Sequence, residues 1–382
     1  MAVSRVLHLS KMTGAAGSEG HLLVLLHGQR AQGIDARLWI LVEPDNPVQE
    51  VVDRATALGI PVERITIHRH FDPGLWGRLI NRFRTTKPDM LHTHLLHADL
   101  YGIPAARRAN VPYVVSSRHN DDKFRRQLPM RWLHRWLWSQ TDAGIAISEA
   151  IRQFSIRVEG VPASKIHTIH YGLDPATVTA AVPDPAAARA KLRAELQLPS
   201  NAILVGSICR LIEQKGLIYG LRAFARIAEQ VPDAGYVIAG DGNLREALQA
   251  EAHTLGIADR VHFLGWCSDA YPIFAALDVF LAPSLWEGFG LVFLEAMALS
   301  VPVISTTISA IPEVVKDGIT GWLVPPRNAD TLAGALREAL TDTAERHKRG
   351  AAGRRRLENH FTVETMVKCT LTLYRELSET KC

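Results

Sequence analysis

A short apolar run, Val279-Phe280-Leu281-Ala282, leads through Gly288 and Gly290 into Leu291 to Leu299, an apolar helix ended by Pro302. Few arrangements accommodate that order. Four apolar, partly β-branched residues read as a parallel strand buried on both faces. The two glycines supply a tight turn, and Pro302 stops the helix. A glycine turn that opens a helix presents free backbone N–H groups and a positive dipole end, which suits a phosphate. Glu287 and Glu295 stand eight positions apart across this turn. Glu295 falls inside the apolar helix, where a buried carboxylate needs a hydrogen-bond partner, and a ribose diol is a good one. Glu287 lies in the loop, placed to meet a sugar ring. A capped turn with one solvated and one structural glutamate is the plainer alternative, since ion-pair networks also hold carboxylates.

The same alternation of strand, turn and helix recurs along the 382 residues, a length suited to two α/β domains. Val3 to Ser10 reads as the first strand, followed by a glycine loop and a helix carrying Leu22, Leu23 and Leu26. Arg37 to Val42, Pro61 to Ile67, Pro88 to His94 and Pro112 to Asn120 supply further strands. The Ala- and Pro-rich segment 176–200, with one helical piece from Ala186 to Leu196, reads as a linker between a domain of residues 1–175 and one of residues 201–361. Thr362 to Leu377 reads as a closing helix. With 47% hydrophobic and 21% charged residues the chain has the composition of a globular protein with sizeable cores. A net charge of +4 allows an anionic substrate or membrane surface and does not call for nucleic acid. The four cysteines, Cys209, Cys267, Cys369 and Cys382, form no C-x-x-C pair, so neither a zinc site nor a disulfide framework is expected. The N-terminus lacks a signal-peptide pattern and no apolar run reaches bilayer length, so a cytoplasmic protein with at most peripheral membrane contact is expected.

Other residues carry candidate chemistry. Arg210 and Lys215, five apart across a strand end and the loop after it, are able to converge on one anion: a forked donor and a point charge suited to a diphosphate. Two solvent-facing loop cations are the alternative. His92, His94 and His97 make His-x-His-x-x-His, but no carboxylate or cysteine joins them at ligand spacing, and no metal is assigned. His119 sits at the carboxyl end of a strand, where open parallel sheets place ligand contacts; a satisfied loop histidine is the alternative. Lys123 to Ser139 interleaves Lys123, Arg125, Arg126, Arg131 and Arg135 with Trp132, Trp136 and Trp138. It reads either as a membrane-interfacial helix or as a helix with a buried tryptophan stripe and a charged outer face. A second basic stretch, Arg78 to Lys87, lies on another helix.

The stretch Ser284-Leu-Trp-Glu-Gly-Phe-Gly-Leu-Val-Phe-Leu-Glu-Ala-Met-Ala298 resembles the E-x7-E signature of the family-4 retaining glycosyltransferases, whose GT-B fold sets two Rossmann-like doubly wound domains across a deep cleft. Arg210-Leu-Ile-Glu-Gln-Lys-Gly216 resembles that family's diphosphate-binding motif, with Cys209 in place of glycine. Ala16-Gly17-Ser18-Glu19 resembles its Gly-Gly-x-Glu loop, with Ala16 at the first glycine, and Gly240-Asp-Gly-Asn243 its Gly-Asp-Gly-Pro segment. His-Tyr-Gly-Leu-Asp174 is similar to its Asn-Gly-Val-Asp turn, with Tyr171 replacing asparagine. The resemblance implies a hexosyltransferase that moves a sugar from a nucleotide-diphosphate donor to a glycan or lipid-linked acceptor in bacterial envelope polysaccharide or lipopolysaccharide synthesis. It implies His119 on the transferred sugar, Arg210 and Lys215 on the diphosphate, and Glu287 on sugar hydroxyls. Gly17, Gly290, Leu291, Val292 and Glu295 are implied as the donor-binding set. It also implies that the closing helix packs back on the first domain. No Asp-x-Asp occurs in the sequence, so no metal cofactor is expected and fixed cations would stabilise the leaving group. The rival readings are a non-catalytic binding subunit of the same fold and a sugar-nucleotide epimerase; an NAD oxidoreductase is disfavoured because neither half carries G-x-G-x-x-G.

Overall fold

The computed structural model describes residues 3–14, 17–68 and 72–380, with Ser18 and Lys123 by backbone only. The chain forms two compact units, residues 1–172 with 363–382 and residues 173–362. Each is built on a single parallel sheet.

The first sheet has seven strands: β1 (Arg5–Lys11), β2 (Asp35–Val42), β3 (Val62–Thr66), β4 (Met90–His94), β5 (Tyr113–Arg118), β6 (Ala143–Ala146) and β7 (Ile166–Thr168). Their order is β3-β2-β1-β4-β5-β6-β7. The order reverses between β1 and β4, and such a switch point opens a crevice at the carboxyl ends of the strands. Leu7, Leu9, Leu91 and Val114 fill one face of the sheet, and Val6, Ile40, Met90 and Val115 the other. Near-continuous burial of this kind is what helices on both faces demand. The helix Val363–Thr380 belongs to this unit and packs on the helix Gly17–Ala31. Gly28 lets the two approach, because a Cβ there would meet Val367 at 2.5 Å.

The second sheet has six strands: β8 (Ile203–Ile208), β9 (Ala234–Ala239), β10 (Val261–Gly265), β11 (Val279–Ala282), β12 (Val303–Thr306) and β13 (Gly321–Val324). The order β10-β9-β8-β11-β12-β13 puts its switch point between β8 and β11. The segment read as a linker with one helix belongs to this unit and holds two, the expected one at Pro185–Glu195 and a further one at Pro175–Ala181. Asp174 and Asp184 cap them through side-chain bonds to Ala176, Thr177 and Ala187 N–H groups. Arg189 and Arg193 both bind Asp278 at the mouth of β11, at 2.6 and 2.9 Å. Alanine and N-terminal proline are thus helix formers here, and the two arginines fix the helix to the sheet.

Candidate active site

The loops that leave β8 and β11 meet at the switch point of the second sheet, and main-chain bonds stitch them together. Leu285 N–H donates to Gln214 O at 2.7 Å, and Gln214 Nε2 donates to Trp286 O at 3.0 Å. Gly216, at φ 61°, caps the helix Leu217–Ile227 and passes so close to Pro283 O that any Cβ would collide with it. This stitching sets Lys215 against Glu287: Lys215 Nζ lies 2.6 Å from Glu287 Oε1, which also accepts from Ser284 Oγ at 2.9 Å. Glu287 is buried, and Lys215 is only 15% exposed along its side chain. Lys215, Ser284, Glu287 and Val292 line one small cavity with Cys209.

Arg210 follows the end of β8 and is exposed, and its guanidinium has no ion-pair or hydrogen-bond partner among the described residues. Burial pushes the Cys209 thiol up to about 11, and the charges of Lys215, Glu287 and Arg210 all act on it. Behind them Gly240, at φ 127°, lets the loop after β9 run against Cys209 O, where a side chain would not fit. That close approach accounts for the glycine of the Gly-Asp-Gly segment.

Gly290, at φ 88°, caps the helix Leu291–Ala298, and a Cβ there would strike the Phe293 ring. The first-turn N–H groups, those of Leu291 and Val292, have no helical carbonyl to bond. One turn on, Glu295 is half-buried among Phe293, Leu294, Ala296 and Met297. No cation or hydrogen-bond donor holds its carboxylate among the described residues, and desolvation pushes its pKa up to about 7. Such a group is waiting for a donor.

In the first unit, Gly17 opens the helix Gly17–Ala31, and Ala16 lies outside the described residues. His119 follows β5 and lines a small pocket with Ser10, Met12, Glu19, Leu22, His94 and Leu95. Leu95 turns out of β4 at φ 69°, a left-handed conformation that costs a branched residue energy and clusters at working sites. His92 and His94 share a face, as their spacing requires, and meet His8 across the β1–β4 pair. Every ring nitrogen of these three takes part in a protein hydrogen bond, and one ring nitrogen from each lies within 4.8 Å of the others. His97 is exposed.

Sequence reasoning missed the partners that hold the candidate residues. Ser284 and Gln214 belong to the second unit. In the first, Tyr171 OH lies 2.5 Å from His119 Nδ1, and the His21 ring lies tilted against Tyr171 with ring centroids 3.6 Å apart. Arg118, next to His119, is fully buried between Asp99 and Glu159, at 2.6 and 2.8 Å. The one available signal was Tyr171 itself, a large residue where the resemblance calls for asparagine.

Against known proteins, residues 188–356 match the family described as glycosyl transferases group 1, and residues 15–177 match glycosyltransferase family 4. The chain belongs to glycosyltransferase family 4. Among curated relatives of this glycosyltransferase, a GDP-mannose-dependent α-(1-6)-phosphatidylinositol monomannoside mannosyltransferase of Mycobacterium tuberculosis is 35% identical over 66% of both chains. Its Mycolicibacterium smegmatis counterpart is 32% identical, over 66% of this chain and 67% of that one. The chain thus spans about two thirds of the length of these relatives. Among solved structures, HepE of Anabaena in complex with UDP superposes with a TM-score of 0.82, covering 97% of this chain and 99% of that one at 22% identity. The two parallel Rossmann-like sheets are those of the GT-B fold.

Proposed function

We propose that this glycosyltransferase moves a hexosyl unit from a nucleoside-diphosphate sugar to a hydroxyl of a glycolipid, with retention of anomeric configuration. The observation that carries the reading is the Lys215–Glu287 pair, fixed at 2.6 Å where the β8 and β11 loops are stitched together beside the glycine-capped helix at Leu291. A nucleotide-sugar donor departs as a diphosphate that develops about two charges. Arg210, Lys215 and the Leu291 and Val292 N–H groups supply the compensating field in this unit. Glu287 keeps Lys215 from turning to solvent and offers its carboxylate to sugar hydroxyls. Glu295 accepts from the ribose diol. Gly17 and His119, in the first unit, contact the donor phosphate and the transferred sugar. Glu287 is the one carboxylate among the described residues that line the Lys215 cavity, and the acceptor hydroxyl attacks on the leaving-group face.

Two observations support a glycolipid acceptor at a membrane surface. The mycobacterial relative is named for a phosphatidylinositol mannoside. In this chain Leu128, Trp132 and Trp136 form an exposed row at helical spacing, beside Arg126, Arg131 and Arg135. No helix among the described residues is long and apolar enough to cross a membrane, so the contact is peripheral.

The test is transfer from GDP-mannose and UDP-glucose to a phosphoinositide or undecaprenyl-linked acceptor in EDTA, with product configuration read by NMR. A product with the donor's configuration is expected. Lys215→Ala and Arg210→Ala should each lower kcat by about 10² to 10³, the usual cost of one transition-state donor. An inverted product, or full activity in Lys215→Ala, contradicts the proposal.

A further inference from the structure

Beneath His119 the first unit holds a line of polar side chains that transfer chemistry does not use. The parallel register pairs His8 with His92 and Ser10 with His94, so β1 and β4 present three histidines on one face. His119 Nε2 lies 3.2 Å from His94 Nδ1, and His94 Nε2 lies 3.0 Å from His8 Nδ1. His8 Nε2 lies 2.8 Å from Gln29 Oε1, and Gln29 Nε2 lies 3.2 Å from Tyr374 OH. Tyr374 OH in turn lies 2.6 Å from His92 Nδ1, whose Nε2 lies 2.7 Å from Ser117 Oγ. The line therefore runs from Tyr171 through His119 to the closing helix and back to β5.

The direction of each bond follows from the one before it. Gln29 Oε1 carries no proton, so His8 donates from Nε2. Burial keeps these rings neutral: it lowers His8 to about 4 and His119 to about 3, and holds His92 and His94 well below their ordinary range. A neutral ring has one donor and one acceptor. His8 Nδ1 must then accept from His94 Nε2, His94 Nδ1 from His119 Nε2, and His119 Nδ1 from the Tyr171 hydroxyl. On the far side Gln29 donates to Tyr374, Tyr374 to His92 Nδ1, and His92 Nε2 to Ser117.

We propose that Tyr171, His119, His94, His8 and Gln29 form one unidirectional relay that locks His119 as its Nε2–H tautomer, with both ring nitrogens committed to the protein. The inference rests on the reading of His119 as a sugar contact and deepens it. His119 neither gives nor takes a proton in transfer; it serves the sugar through its ring edge and main chain. His94, His8 and Gln29 are positioning residues, although Gln29 is separated from His119 by two rings. Tyr374 orients the Gln29 amide, whose reversal would invert every bond in the line.

The test uses the full chain labelled with [15N]histidine and long-range 1H–15N correlation at pH 7.5, with rings assigned by single His→Gln variants. His8, His92, His94 and His119 should all carry the proton on Nε2 and stay neutral down to pH 5.5. In Gln29→Leu, His8 loses its acceptor, and His8, His94 and His119 should become mixtures of tautomers. Gln29→Glu keeps an acceptor oxygen and should restore them. Tyr374→Phe, a second variant should Gln29→Leu fail to fold, removes the donor to His92 and the acceptor that orients the Gln29 amide, so it should release His92 and mix the tautomers of His8, His94 and His119 as well. A wild-type His119 protonated on Nδ1 or charged at pH 7.5 overturns the relay, as does an unchanged His119 in Gln29→Leu. Activity separates the relay from the role of His119. Gln29→Leu should lower kcat about ten- to a hundredfold with donor KM unchanged, the scale of a small misplacement of a contact group. Lost tautomers with full kcat would support the relay and sink the sugar contact.

Discussion

At the scale of single residues, Glu295 is the group whose state should change when donor binds. Its carboxyl ordinarily titrates near 4.5 and here near 7, because apolar neighbours strip it of water and nothing replaces that water. A folded-state pKa raised in this way makes a contribution to stability that is complete below about 4.5 and is lost as pH rises through 7. At 1.36 kcal/mol per unit, that contribution is at most about 3 kcal/mol. A ribose diol donating to the ionised carboxylate reverses the preference, so donor binding should expel a proton near neutral pH. Affinity for a nucleotide sugar, whose phosphates do not titrate here, should rise between pH 6 and pH 8. Calorimetry in two buffers of different ionisation heat reads the proton directly. Glu295→Gln should abolish both the release and the pH dependence; a wild type with neither would remove Glu295 from the ribose.

At the scale of elements, the helix Leu128–Ser139 shows how one segment serves two surroundings. The sequence offered a buried tryptophan stripe or an interfacial helix, and the structure buries one tryptophan and leaves two exposed. Trp138 is 2% exposed and donates from Nε1 to Glu159 Oε2 at 2.9 Å, while Trp132 and Trp136 are 69% and 49% exposed. Glu159 also binds Arg118 and Arg125, and those two guanidinium groups hold its carboxyl down to about 2. Arg125 reaches on to Asn120 Oδ1 at 3.0 Å, so the inner face of the helix is tied to the loop that carries His119. The proposed membrane contact assigns the outer face to a partner with an apolar interior and a negative surface. Flotation with anionic vesicles should recover the protein. Arg131→Ala with Arg135→Ala should weaken binding about thirtyfold at low salt, on the basis of about 1 kcal/mol per cation. Trp132→Ser with Trp136→Ser should weaken it at any salt. Binding that survives both pairs of changes would exclude this face.

At the scale of the whole molecule, what could be read from the sequence was what lies close together along it. The E-x7-E and Arg-x4-Lys spacings each span one loop and one helix turn, so the glycine-capped helix and the loop cations were legible before any fold was known. Lys215 and Glu287 are 72 positions apart and become neighbours only because β8 and β11 flank a switch point. His8 was invisible beside His92 for the same reason: parallel register is a property of the sheet. In segment 176–200 the helix read from Ala186 to Leu196 is present, whereas Pro175–Ala181 escaped notice because proline and alanine mark linkers and helix starts alike. The central claim is that fixed cations of the second unit bind a nucleoside diphosphate. Titrating UDP and GDP into the full chain in EDTA tests it most directly. One of the two should bind, and Arg210→Ala with Lys215→Ala should weaken that binding about a hundredfold or more, at roughly 1.5 to 3 kcal/mol per charged hydrogen bond. A wild type that binds neither nucleotide, or a double variant that binds as tightly as wild type, would contradict the account.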